Sequence, residues 1–136
     1  MGKSKEQISE INDFDKLIRL LFESMNSREF GAFEKVITED VAFDFPGAGR
    51  TEGARRTLLL LKSLLRKYPV LIFTVNEIIV QENRACAIWV NEGKDSQGLP
   101  YNMSGVTLFH FSGDRISFIS DYFKDTSFTE KVRQKT

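Results

Sequence analysis

The chain of 136 residues contains a single cysteine, Cys86, and a single histidine, His110. One cysteine excludes an internal disulfide and fits a reducing compartment, so a cytoplasmic location is expected. One histidine excludes the two-histidine metal motifs and leaves any Ser-His-Asp or Cys-His chemistry dependent on His110 alone. There is no excess of either charge, with 19 Lys plus Arg against 19 Asp plus Glu. Binding driven by phosphate neutralisation, and hence a nucleic-acid partner, is therefore not expected. No apolar run approaches the roughly 18 residues that span a bilayer, and no membrane partner is expected. The start, from Met1 to Glu6, leads into an amphipathic helix rather than a signal peptide. Repeats, low-complexity segments and linkers are absent, so one domain over 1–136 is expected. Trp and Tyr are scarce, at 1 and 3, whereas Phe reaches 12. A small domain so rich in phenylalanine has a bulky core or an apolar cavity.

The first third has helical periodicity. Ile8, Ile11, Phe14, Ile18, Leu21 and Met25 recur at three- and four-residue steps, with Leu17 and Phe22 widening the stripe. Ser4 with Gln7, and Asn26 with Glu29, have capping-box spacing. The second pair predicts a short helix from about Arg28 to Val36 carrying Phe30, Phe33 and Val36 inward. A third helix, from about Gly53 to Lys67, buries Leu58, Leu61, Leu64 and Leu65. Thr51 is its expected cap, and Pro69 ends it. Strands are predicted at Val41 to Phe45, Val70 to Val80, Arg84 to Glu92, Tyr101 to Phe111 and Arg115 to Phe123. The glycine-rich segment from Pro46 to Gly53 lacks the residues of a phosphate-binding loop and reads as a strand-to-helix connection. Helices followed by hairpin-linked strands predict an α+β domain with helices on one face of a curved sheet.

Strand alternation places the residues of chemical interest. On the last strand Ser117, Ile119, Asp121 and Phe123 share one face, with Ile116, Phe118, Ser120 and Tyr122 on the other. Both faces are largely apolar, so Asp121 is expected beside hydrophobic groups that raise its pKa toward the range useful for proton transfer. Trp89 and Asn91 share a face with Ala85 and Ala87, a pattern that shapes a cavity and supplies it with an amide. Tyr101 is a candidate ligand hydrogen-bonder at a strand start. Asp44 pairs in parity with Ala42, opposite Phe43 and Phe45, and reads as a surface acid if the phenylalanines face inward. Cys86 reads as a small buried hydrophobe. Nothing indicates a metal or an organic cofactor.

These segments in this order resemble the nuclear-transport-factor-like, or ketosteroid-isomerase-like, superfamily, and within it the SnoaL-like branch. The likeness runs from about Ile8 to Phe128. It is carried by the first helix, the run from Phe33 to Phe43, Pro46-Gly47, Glu52-Gly53-Ala54, Trp89 with Gly98, Gly105 to Phe109, Gly113 to Ile116, and Asp121-Tyr122-Phe123. It implies a cone: a strongly curved mixed sheet wrapped around N-terminal helices, with an apolar pocket at the open end. It also implies homodimerisation through the outer face of the sheet, which fits the apolar residues on both faces of the long strands.

The same resemblance suggests chemistry residue by residue. Asp121-Tyr122-Phe123 is similar to the segment whose Asp activates water in limonene-epoxide hydrolases. The second acid and the arginine of that branch have Asn91 and Trp89 as their nearest positions, and neither matches. Polyketide cyclases of this type use an Asp shortly after the last strand, which points to Asp125. The ketosteroid-isomerase base directly precedes the proline, where Phe45 stands, with Asp44 one place earlier. That departure argues against isomerase chemistry unless the strand carries a bulge. The expectation is a small-molecule-binding, cofactor-independent enzyme of cyclase, isomerase or hydrolase type. Asp121, Asp125 and Asp44 are its candidate acids or bases. Trp89, Asn91, Tyr101, Phe43, Phe45, Phe109 and Phe123 are expected around a small apolar or aromatic ligand. The alternative is a non-catalytic ligand-binding or protein-interaction domain, since this fold hosts both.

Overall fold

The computed structural model describes residues 5–124, with side chains from residue 13 onward. Helix α1 (Lys5–Ser27) turns Ile18, Leu21, Phe22 and Met25 into the core, while Asp13, Lys16, Arg19 and Glu23 stay in water. That division is what a 3.6-residue period produces when one stripe is apolar. The short α2 (Gly31–Glu34) buries Phe33, and α3 (Ala54–Arg66) buries Thr57, Leu58, Leu61 and Leu65. Six strands follow or interleave: β1 (Ile37–Phe45), β2 (Gly49–Glu52), β3 (Val70–Gln81), β4 (Arg84–Lys94), β5 (Pro100–Ser112) and β6 (Arg115–Phe123). They form one curved, unclosed sheet in the order β2-β1-β6-β5-β4-β3. Strands β3 to β6 are an antiparallel meander, and β1 joins β6 in parallel. The sheet is therefore mixed, and its first long strand lies beside its last. The inner face packs on α1 and α3.

Two side chains, Asn26 in the last turn of α1 and Arg28 just after it, tie the helices to the sheet. The amide of Asn26 pairs with the backbone of Phe73 through Nδ2 to O (3.0 Å) and N to Oδ1 (2.8 Å). It thereby satisfies a residue of the edge strand β3 as a neighbouring strand would. The Arg28 guanidinium donates to the carbonyls of Leu65 (2.8 Å), Tyr68 (2.9 Å) and Leu71 (3.3 Å). It satisfies a carbonyl in the last turn of α3 and holds the segment leading into β3.

The local expectations fail where the sheet departs from simple alternation. The segment after Pro46 is a hairpin, not a plain connection: β2 pairs with β1 from Phe45↔Gly49 to Ala42↔Glu52. Gly47 (φ 86°) and Gly49 (φ 74°) supply the positive dihedrals the turn requires. Thr51 is committed to that ladder opposite Phe43, so Gly53 (φ 102°) begins α3 with no side-chain cap. Asn26 bonds to β3 rather than capping α2, which is shorter than its apolar spacing suggests. The Ser4–Gln7 cap and the side chains of Ile8 and Ile11 lie outside the described residues. On β6, Phe111 pairs with Ile116 and His110 with Phe118, leaving Ser117 as an extra residue. That bulge puts both Ile116 and Ile119 in the core, correcting the alternation expected across Ser117.

Candidate functional site

A cavity of about 370 Å³ lies between α1, α3 and the inner face of the sheet. That volume is in the range of small-molecule sites. Helix α1 contributes Leu21, Phe22 and Met25, and α3 contributes Leu61, Leu64 and Leu65. A continuous line of aromatic rings runs from Phe22 on α1 across the sheet. Ring centroids are separated by 6.0 Å for Phe22–Phe73, 5.3 Å for Phe73–Trp89 and 5.8 Å for Trp89–Phe123. The line continues through Phe123–Phe45 at 5.3 Å and Phe45–Phe43 at 5.8 Å. All but the first of these contacts are steep edge-on-face arrangements, the preferred geometry of aromatic quadrupoles. This line accounts for much of the phenylalanine excess.

Asp121 projects from β6 into this lining. Its Oδ1 accepts a hydrogen bond from Thr107 Oγ1 at 2.7 Å, and Thr107 Oγ1 accepts one from Trp89 Nε1 at 2.9 Å. Ladder geometry brings the three together: Thr107 stands opposite Asp121 on β6 and Ala87 on β4, while Trp89 stands opposite Gly105. Gly105 must be glycine, because a Cβ there would lie 2.7 Å from the Trp89 ring and 2.5 Å from the Tyr122 carbonyl oxygen. Without that Cβ the indole lies against β5 and reaches Thr107. Surrounding apolar groups desolvate the Asp121 carboxyl and raise its pKa to about 6, with the Thr107 hydrogen bond opposing the shift. Asp121 is part-exposed and lines the cavity.

A second polar group stands further along β4. Asn91 is 6% exposed and lines the cavity, and its Oδ1 is buried with no hydrogen-bond partner among the described residues. A buried amide left unsatisfied costs on the order of 1–3 kcal/mol, which a ligand hydrogen bond recovers. At the wet end, Tyr68 and Tyr101 pack with centroids 4.5 Å apart beside the exposed Lys67. Burial, then the neighbouring Tyr68, raises the Tyr101 pKa to about 12, so its hydroxyl is a donor at neutral pH.

Asp121, Trp89, Asn91, Tyr101, Phe43, Phe45 and Phe123 thus share one cavity. Phe109 does not: it is fully buried in the solid part of the core near Phe111. Asp44 does not either. It lies on the other face of β1, 3.5 Å from Arg50, whose guanidinium covers the Phe118 ring at 5.1 Å. Its separation from Phe43 and Phe45 follows from strand alternation, and the irregularity in β1 falls before Ala42, too early to turn it inward. Asp125 lies outside the described residues. Sequence reasoning missed Thr107, Tyr68 and Arg28. Thr107 had a usable signal, since it shares parity with Phe109, but its partner became apparent only with the β5–β6 register. Among the described residues no group of three or more His, Cys, Asp and Glu side chains is placed to hold a metal ion. None of the described helices is long and apolar enough to cross a membrane.

A curved sheet wrapped on helices around a lined cavity defines the cone-shaped α+β class. The SnoaL-like domain model matches residues 18–119, and the chain belongs to that family. No curated protein matches the sequence significantly. Among solved structures, an NTF2-like protein from Anabaena variabilis superimposes with TM-score 0.79 at 18% identity, over 92% of this chain and 95% of that one. TerC, co-crystallised with polyporic acid, has TM-score 0.75 at 15% identity, over 87% of this chain and 96% of that one. A candidate SnoaL-like polyketide cyclase from a Jannaschia species has TM-score 0.77 at 13% identity, over 95% and 94%. At these identities the likeness is one of fold.

Proposed function

We propose that this chain, as one SnoaL-like domain over 1–136, binds a small apolar or aromatic molecule and acts on it by acid–base catalysis without a cofactor. The observation that carries the reading is the Asp121 carboxyl, desolvated among aromatic rings and tuned to about 6. A carboxyl near neutrality both takes and returns a proton, and a positioned acid or base supplies about 10²–10⁴-fold in rate. The described lining holds no second carboxyl; its other titratable groups are Lys67, Tyr68 and Tyr101. A single shuttling carboxyl suits a proton shift or an aldol-type ring closure better than epoxide opening, which calls for a second acid on the leaving oxygen. Cyclase-type chemistry is therefore the favoured class. The candidate cyclase and the polyporic acid complex among fold neighbours support that choice by analogy. Asn91 and Tyr101 orient the ligand, and the rings of Trp89, Phe43, Phe45 and Phe123 hold its apolar body.

The lack of a second acid also favours, as the alternative, a non-catalytic ligand-binding domain. Turnover separates the two. A thermal-shift screen of ketones, epoxides and aromatic acids finds ligands, because one at 100 times its Kd adds about 2.7 kcal/mol of stability. Asp121→Asn is then expected to lower turnover of a hit by about 10²–10⁴-fold while its Kd stays within a few-fold. Unchanged turnover removes Asp121 from the reaction.

The reading includes a homodimer. Ile79, Cys86 and Leu108 form one row across the outer face, and Ile88, Val106 and Tyr122 the next. Ile79 and Tyr122 are more than half exposed. A contiguous apolar patch of this kind calls for a partner, and a second copy presents the same surface.

A further inference from the structure

Two side chains behind Asp121 dictate which of its oxygens faces chemistry. An indole N–H only donates, so the Trp89 bond occupies Thr107 Oγ1 as an acceptor. Thr107 is 2% exposed, and its one hydroxyl proton has Asp121 Oδ1 as its acceptor at 2.7 Å. The reverse arrangement, with a proton on Oδ1 donated to Thr107, would leave that hydroxyl proton buried without an acceptor, a costly state. The direction Trp89→Thr107→Asp121 is thus imposed from the indole end. Oδ2 makes no hydrogen bond to any described residue.

We propose that Trp89 and Thr107 are positioning residues that keep Asp121 Oδ1 a permanent acceptor, so that Oδ2 alone exchanges a proton with a ligand in the cavity. This rests on the acid–base reading of Asp121, and it adds direction to it. The neutral acid carries its proton on Oδ2, and the carboxylate takes its proton back on Oδ2. Gly105 belongs to the device, because only its missing side chain lets the indole lie where Nε1 reaches Thr107.

The groups facing Asp121 simplify the test. From β5 it meets Thr107, and β4 and β3 add Trp89, Asn91 and Phe73 to the lining it shares. To the same lining β1 adds Phe43 and Phe45, and α1 and α3 add only apolar side chains. The titratable lining groups Lys67, Tyr68 and Tyr101 are grouped at the far rim. Tyr101 lies six positions from Thr107 along β5, roughly 20 Å of strand.

The experiment is a pH titration of the carboxyl carbon of Asp121 by NMR in protein labelled at aspartate, with Asp121→Asn identifying the signal. The wild-type midpoint is expected at about 6. Thr107→Val removes the donor to the charged form and is expected to move the midpoint to about 7 or higher. Thr107→Ser keeps the hydroxyl and is expected to leave the midpoint unchanged. Trp89→Phe frees the hydroxyl to turn away and is expected to raise it by a smaller amount. A wild-type midpoint in Thr107→Val, or in Trp89→Phe, overturns the proposal. If Thr107→Val does not fold, Trp89→Phe decides alone. None of these readouts involves turnover. A protein that titrates as expected but never catalyses keeps the orienting chain and loses the catalytic reading, whereas an active protein whose midpoint ignores Thr107 does the reverse.

Discussion

Two aspartates lie on neighbouring strands and on opposite faces of the same sheet, and their surroundings differ in every respect that matters. Asp44 on β1 faces outward, 38% exposed, beside Arg50 at 3.5 Å. Asp121 on β6 faces inward among aromatic rings, with a hydroxyl instead of a cation for a partner. The register sets Asp44 beside Ser120, so only one step along β6 separates the two positions. A single residue of alternation thus converts a solvated surface acid into a desolvated one. The lesson is that the role of a carboxylate here follows from the face it occupies, because the face decides whether water or hydrocarbon surrounds its charge.

Three measurements would break or sharpen that contrast. The largest effect is expected at Asp121. Its value near 6 in the folded chain lies above the ordinary 3.8, so the folded state holds the proton more tightly than the unfolded one. Its contribution to stability is therefore largest below the unfolded value and is lost as pH rises from about 4 to about 6, by at most about 3 kcal/mol. Asp121→Asn, which keeps an acceptor for Thr107, is expected to abolish this slope in urea denaturation and to be the more stable protein at neutral pH. A slope that survives the substitution would place the desolvation elsewhere. An intermediate effect is expected on the outer face, where Ile88→Arg should turn a dimer into a monomer in sedimentation equilibrium without altering the cavity. A wild-type protein that is monomeric at every concentration would refute the second-copy reading. The smallest effect is expected at Asp44, where Asp44→Asn should change stability by less than about 0.5 kcal/mol, as exposed ion pairs do. A larger loss would mean that the outer acid is not merely solvated.

Much of this contrast was readable from the chain, since alternation with a period of two needs no knowledge of partners. It put Asp121 with Phe123, Trp89 with Asn91, and Asp44 opposite Phe43 and Phe45, and the coordinates agree on each relationship. It failed at Ser117, where a bulge adds a residue and restores Ile116 to the core. It also failed at β2, whose four residues are too short and too exposed to display a pattern. Phe109 was misplaced for a different reason. Alternation names its face correctly, but whether that face is filled or hollow depends on what stands across from it. Opposite Phe109 is Ala85, and both are buried in the core outside the cavity, whereas Thr107, two residues further along the same face of β5, lines it.

Periodicity along one chain therefore located the main helices and the long strands, the inward stripe of α1 and which side chains share a face with each acid, because these depend only on local backbone geometry. The indole–hydroxyl–carboxyl chain, the Arg28 clasp on the end of α3 and the hollow itself arose from register and packing between segments far apart in sequence. Hydrogen bonds of about 3 Å tolerate little displacement, and no spacing within a single strand encodes the alignment of three.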